Sequence, residues 1–428
     1  MEIIKETLSN GLTGILAPME GAKTITEIFI AKAGWKDEWP EIYGLSHLTE
    51  HMILKGTKNR PSAQDIAKEI EGKGGEINAE TEDEYTHYWI KLPGRFIDTA
   101  HDLLSDMLLK PKFDSQEIEK EKGTILEELH MIQDDSQGCV CEILWPSLLY
   151  KNQAAGQCGL GTEETIKSFK REQILSYTKK LYTASNSAVC VAGRIENLRE
   201  VLNELNGYFQ EIRQDKSRIK RLPVVENQKK PEILFQKRKI EQTQIMLGIR
   251  GYNVFHPDRY ALQVLGVILG GSMSSRMFTE EREKRGLAYK IGTGVDFQSD
   301  TGWLATYAGL NSEKITEALQ VMINQYKKIT EERVPEQELR FTKSCILGSQ
   351  EVAMEDSKKV AFNLAEQFIL TGEVKTPEQM AEKFKAVSSE DIQRVAQDIF
   401  KNKNLNLAIV GPHQHHRLKA KLYPILKF

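Results

Sequence analysis

Cysteine is scarce in this 428-residue chain: Cys139, Cys141, Cys158, Cys190 and Cys345 are odd in number and scattered. That usage excludes a secreted-type disulfide framework and suits a reducing cytosol. Cys139-Val140-Cys141 lacks the second thiolate pair of a structural zinc site, so no special role is assigned to it. Long apolar runs are missing too. No window approaches eighteen consecutive apolar residues, and no membrane span is expected. Met1 to Glu6 has neither a basic n-region nor an apolar h-region, so no secretory signal is expected and the assigned location is cytoplasmic. Charge of one sign is not in excess. A formal net charge of -3 lacks the basic surplus of a nucleic-acid binder, which excludes that class of partner. Histidine is rare as well, with nine in all, which makes any local concentration of it informative.

What is present is an ordinary globular composition, 40% hydrophobic and 28% charged, in a chain too long for one core. The informative stretch is Gly44-Leu45-Ser46-His47-Leu48-Thr49-Glu50-His51-Met52. On a helix, residues four apart stack on one face, so His47 and His51 project together with Glu50 beside them. Two imidazoles and an adjacent carboxylate are the parts of a catalytic zinc site and its general base, in the inverted order His-x-x-Glu-His. Such a site needs a third protein ligand.

In chain order, Ser9-Asn10-Gly11 predicts a hairpin turn, and residues 25–33 a strand. Gly34-Trp35 and the charged run to Pro40 read as a loop feeding the motif helix. Ser62 is the expected N-cap of a helix over 63–72. Residues 76–92 read as a strand pair. Its first arm, Asn78-Ala79-Glu80-Thr81, has the composition of a sheet edge, which blocks aggregation or accepts an extended peptide. Residues 95–109 form an amphipathic helix. A densely acidic helix follows from Gln116, with Ser115 as its cap. Glu121 and Glu128 are two turns apart and share one face of it, as a solvated acidic stripe or as site residues. Residues 213–230 are charged and poorly periodic, which predicts domains at 1–215 and 231–428 with a linker at 216–230. From Pro231 the order of elements starts again. A strand at 242–248 and a helix at 260–269 echo the strand and motif helix of the first half, with Val264, Val267 and Ile268 near the ligand positions. This is the signature of an internal duplication with one metal-competent half. His413-Gln414-His415-His416 reads as a solvated tail.

With these residues placed, the chain resembles the pitrilysin and insulin-degrading-enzyme superfamily of inverted-motif zinc metallopeptidases. Within it the likeness is to the two-domain branch of mitochondrial-processing-peptidase type. Members carry His-x-x-Glu-His and, downstream, a glutamate inside a Glu-x6-Glu pattern, which Glu121 to Glu128 supplies here. Lys55-Gly56-Thr57, Gly74-Gly75, Gly161-Thr162-Glu163 and Ala192-Gly193 fall in the family's order. Gly34-Trp35 and Asn152-Gln153 depart from it, outside the metal set. The resemblance implies an α+β fold of two homologous domains, each a mostly antiparallel β-sheet packed with helices, closing as a clam-like peptide chamber. It implies one Zn2+ per chain held by His47, His51 and Glu128, with Glu50 as general base and Glu121 orienting a ligand. It further implies a substrate main chain held by Asn78, Ala79, Glu80 and Thr81, and substrate contacts from Arg282 and Tyr289. The expected activity is zinc-dependent endopeptidase action on extended peptides or on leader and presequence segments. The expected assembly is a homodimer, or a heterodimer with a related chain. The alternative is a noncatalytic partner subunit of such an assembly.

Overall fold

The computed structural model describes residues 1–214 and 221–427, so residues 216–220 of the expected linker lie outside the described residues. Its strands are β1 (Ile4–Thr7), β2 (Thr13–Pro18), β3 (Thr24–Ala31), β4 (Glu76–Thr81), β5 (Thr86–Pro93), β6 (Ser187–Gly193), β7 (Glu232–Lys237), β8 (Gln242–Arg250), β9 (Ala288–Phe297), β10 (Gly302–Asn311) and β11 (Leu405–Gly411). They form two sheets, ordered β1-β2-β6-β3-β5-β4 and β7-β11-β8-β10-β9. The β1–β2 hairpin turns at Gly11, whose φ of +87° favours glycine.

Aligning β2, β6, β3, β5 and β4 with β7, β11, β8, β10 and β9 superposes the two orders. Pairing directions agree as well. β2–β6 and β7–β11 are the parallel pairs, and every other pairing is antiparallel. The motif helix Leu45–Ile53 lies between β3 and β4 in sequence, and the helix Arg259–Gly270 between β8 and β9. Val264 and Ile268 are buried in the apolar core of that second helix, as its composition predicts. The fold is α+β with two mostly antiparallel sheets.

The compact units are not the contiguous halves expected. One comprises Met1–Leu129, Cys158–Leu222 and Gln350–Glu378, and the other His130–Gln157, Pro223–Ser349 and Gln379–Phe428. The physical reason lies in the strands. All seven residues of β6 and seven of the eight in β3 are buried, so the centre of this sheet is covered on both faces. Its own helices cover one side, where Leu16, Phe29, Tyr88 and Ile90 meet Leu48, Met52, Leu103 and Leu104. The other side presents Ile15, Ile28, Ile30, Trp89 and Cys190, and it is covered by Val360, Ala361, Leu364 and Ala365 of the late helix Ser357–Thr371. The second sheet is treated the same way. Met246, Ala305, Ala408 and Val410 pack under Val140, Trp145, Leu148 and Leu149, which precede it by a hundred residues or so in sequence. Each half of the chain therefore lends the other a helical cover.

Candidate metal centre

The motif helix starts where glycine permits it. Gly44, its N-cap, sits at φ +94°, and a Cβ there would lie 2.3 Å from the Leu160 carbonyl oxygen. Glu38 completes the cap. Its Oε2 accepts the Gly44 N–H at 2.7 Å, and its Oε1 accepts both the N–H and the hydroxyl of Ser46 at 2.6 Å. A carboxylate at a helix N-terminus also meets the positive end of the dipole. Burial pushes the Glu38 pKa up to about 8, while the Ser46 and Gly44 hydrogen bonds pull it down. The expected loop is thus a buried structure: Lys36, Asp37 and Glu38 are all inside. Leu45, Leu48 and Met52 anchor the helix to the core. The remaining face carries His47, Glu50 and His51, whose ligand atoms all lie within 4.8 Å of one another.

The carboxylate that is the candidate third ligand comes from the helix Ser115–Asp134. Asp114, not Ser115, caps it, through Oδ1 to the N–H groups of Gln116 and Glu117. Glu128 Oε2 stands 3.8 Å from His47 Nε2 and 3.7 Å from His51 Nε2. Two atoms each ~2.0–2.1 Å from a tetrahedral zinc ion are roughly 3.4 Å apart, so both His–Glu128 separations suit that ion with a small contraction. Glu127, the neighbour with which Glu128 could be confused, is exposed. Two turns away, Glu121 Oε2 is 2.9 Å from His51 Nδ1, and its Oε1 is 2.7 Å from Lys55 Nζ. That contact fixes the His51 tautomer with Nε2 free for a metal.

Protonation follows from the same geometry. Burial, with His51 alongside, lowers the His47 pKa to about 3 and keeps it in the neutral form a ligand needs. Burial also acts to lower His51, but the Glu121 hydrogen bond and the charges of Glu50, Glu128 and Glu121 outweigh it and raise its pKa. For Glu121, burial is outweighed by the His51 and Lys55 bonds, which lower it. His47 Nδ1 is buried with no hydrogen-bond partner among the described residues.

Glu50 is 7% exposed. Its Oε2 accepts the Thr81 hydroxyl at 2.6 Å, which ties the motif helix to the end of β4. Burial raises the Glu50 pKa, and the Thr81 bond and the His51 charge restrain the rise. Among the described residues β4 is the terminal strand of its sheet, paired with β5 alone. Ala79 is buried, while Asn78 and Glu80 are exposed. Arg282 and Tyr289 belong to the other compact unit. Arg282 lies on the π-helical turn Phe278–Glu283, with its guanidinium carbon 4.9 Å from the Phe278 ring centroid and 5.9 Å from that of Tyr289. Tyr289 is 74% exposed.

Two family profiles match the sequence. Residues 22–162 match insulinase (peptidase family M16), and residues 168–344 match the peptidase M16 inactive domain. The chain belongs to peptidase family M16. It is 30% identical over 413 residues to the uncharacterized zinc protease YmxG of Bacillus subtilis, covering 96% of this chain and 98% of that one. An uncharacterized zinc protease of Rickettsia bellii is 31% identical, covering 95% and 97%. Among solved structures, a protease from Helicobacter pylori shares the fold with a TM-score of 0.90 at 22% identity, over 96% of this chain and 99% of that one.

Within this M16 chain, sequence reasoning missed the residues that support the site. Glu38 and the Thr81 bond to Glu50 carry no motif of their own, and the Lys55-Gly56-Thr57 match gave no sign of the Lys55 pairing with Glu121. The only signal was a charged run before the motif helix. His413 also departs from the solvated tail expected of it. Its Nε2 lies 2.9 Å from Thr243 Oγ1, and residues 415–422 are helical. Burial lowers the His413 pKa.

Proposed function

We propose that this protein is a zinc-dependent endopeptidase acting on extended peptides, including leader or presequence segments. One observation carries the reading. The Glu128 carboxylate lies within 3.8 Å of both His Nε2 atoms, with the buried Glu50 on the same face of the motif helix. When held by His47, His51 and Glu128, one zinc ion per chain supplies Lewis acidity to the scissile carbonyl and to the attacking water. Glu50 takes the proton of that water and returns it to the leaving amine. A pKa raised by burial suits a group that must both accept and release it. The Thr81 hydroxyl steers the Glu50 carboxylate. Asn78, Ala79, Glu80 and Thr81 offer the open edge of β4 to the substrate main chain, a pairing that favours extended segments over folded ones. Arg282 and Tyr289 are assigned as donors to the substrate carbonyl oxygen, where a guanidinium and a phenol stabilise developing negative charge. The reading includes a cytoplasmic homodimer, with a heterodimer of related chains as the variant assembly.

The test is cleavage-site mapping on a peptide library, with and without a chelator such as phenanthroline. Glu50→Gln is expected to keep its zinc while kcat/KM falls by ~10²–10⁴. Parent-like cleavage by Glu50→Gln would overturn the assignment of the base. A metal-loaded parent that cleaves no peptide would favour the noncatalytic partner reading.

A further inference from the structure

Arg221 stands one residue before Leu222, where the middle segment of the first compact unit, Cys158–Leu222, ends. It lies in the charged stretch expected to be a passive linker, yet its side chain is only 14% exposed. Its Nε and Nη2 grip Asp37 as a fork, at 3.0 Å to Oδ1 and 2.6 Å to Oδ2. The same guanidinium donates to Glu84, from Nη1 to Oε1 at 2.6 Å and from Nη2 to the main-chain carbonyl at 3.1 Å. Lys36 Nζ shares Glu84 Oε1 at 3.0 Å, so one carboxylate is held by two cations.

The two segments gripped are the two that flank the candidate chemistry. Asp37 also accepts the Gly34 N–H at 3.1 Å and immediately precedes Glu38, the carboxylate that caps the motif helix. Glu84 sits in the turn between β4 and β5, three residues after Thr81, whose hydroxyl holds Glu50. The two segments already touch. Lys36 N–H donates to the Asp83 carbonyl at 2.9 Å, and a Cβ on Gly34 would lie 2.2 Å from the Glu82 oxygen. A bidentate guanidinium fixes both distance and plane in a way an ammonium cannot.

We infer that Arg221 is a positioning residue. It staples the loop that starts the metal-binding helix to the turn that ends the substrate strand, and so sets how Glu50 meets Thr81 and the bound peptide. Its catalytic arm rests on the proposed peptidase function, and its structural arm does not. The link also puts Arg221, from the stretch expected to be linker, in direct contact with Asp37 and Glu84.

The experiment pairs amide hydrogen exchange on the metal-free protein with steady-state kinetics on the zinc-loaded protein. Arg221→Met should speed exchange of the Gly44, Ser46 and Glu82 amides by ~10-fold, with β8 amides unchanged. It should lower kcat by ~10-fold or more, with KM within about threefold. Arg221→Lys should fall between the two, and it carries the same readouts if Arg221→Met does not fold. Unchanged exchange with unchanged kcat would overturn the inference. So would exchange that rises equally in β8, which marks general destabilisation. Should the parent cleave nothing, the peptidase reading fails while the exchange arm still decides the role of Arg221.

Discussion

His51 is partnered through Nδ1 by Glu121, while His47 Nδ1 is buried with no partner among the described residues, so the two imidazoles of one motif would bring unequal basicity to the proposed ion. A buried histidine away from the candidate metal centre makes a related point. His87 of β5 is 2% exposed, and burial, with Lys358 alongside, lowers its pKa from 6.5 to about 3. Above pH 6.5 both folded and unfolded states hold it neutral, and its contribution to stability is complete. Between pH 6.5 and about 3 the unfolded chain takes up a proton that the fold refuses, so stability is lost as pH falls. Denaturant unfolding of metal-free protein at a series of pH values should show this loss. In His87→Leu the slope should be shallower by up to about 1.4 kcal/mol per pH unit. Identical slopes would mean that His87 is not held neutral by the fold.

At the scale of elements, the motif helix depends on a start that tolerates no side chain. Gly44 has a left-handed φ and no room for a Cβ beside Leu160. Gly44→Ala should therefore cost about 2 kcal/mol or more, measured as a lowered unfolding midpoint. It should also weaken zinc binding, because Ser46 and His47 follow directly. An unchanged midpoint would show that the helix can start elsewhere. Much at this scale was legible in the sequence. The hairpin at Asn10-Gly11, the Ser62 cap, the edge character of Asn78 to Thr81 and the shared face of Glu121 and Glu128 all follow from local periodicity and turn chemistry. The buried run Lys36 to Glu38 was not legible, because its burial is created by partners distant in sequence. Arg221 and Glu84 neutralise and enclose it, and no local pattern announces them. Asp114 displaced Ser115 as a cap for a smaller reason: both are good caps, and adjacent candidates cannot be ranked without the backbone.

For the whole molecule, the repeat of strand order across two sheets was foreshadowed by the echo of a strand and helix after Pro231. The exchange of helical covers was not. β3 and β6 are buried on both faces, which requires two covering layers, but nothing in the sequence says which helix supplies the second. The consequence is testable. A fragment ending at Lys230 lacks the helix Ser357–Thr371 and leaves Ile15, Ile28, Ile30 and Trp89 without their cover. It should bind a hydrophobic dye and unfold without cooperativity, whereas the full chain should do neither. A cooperative, dye-free fragment would show that the contiguous half is a self-sufficient domain.

The central claim is that one zinc ion, held by His47, His51 and Glu128, makes this chain a peptidase. The most direct measurement is a zinc titration of chelator-stripped protein, followed by cleavage of a fluorogenic peptide. Activity should start near zero, rise in proportion to added zinc and break at one equivalent per chain. Full cleavage by the stripped protein, indifferent to added zinc, would contradict the account.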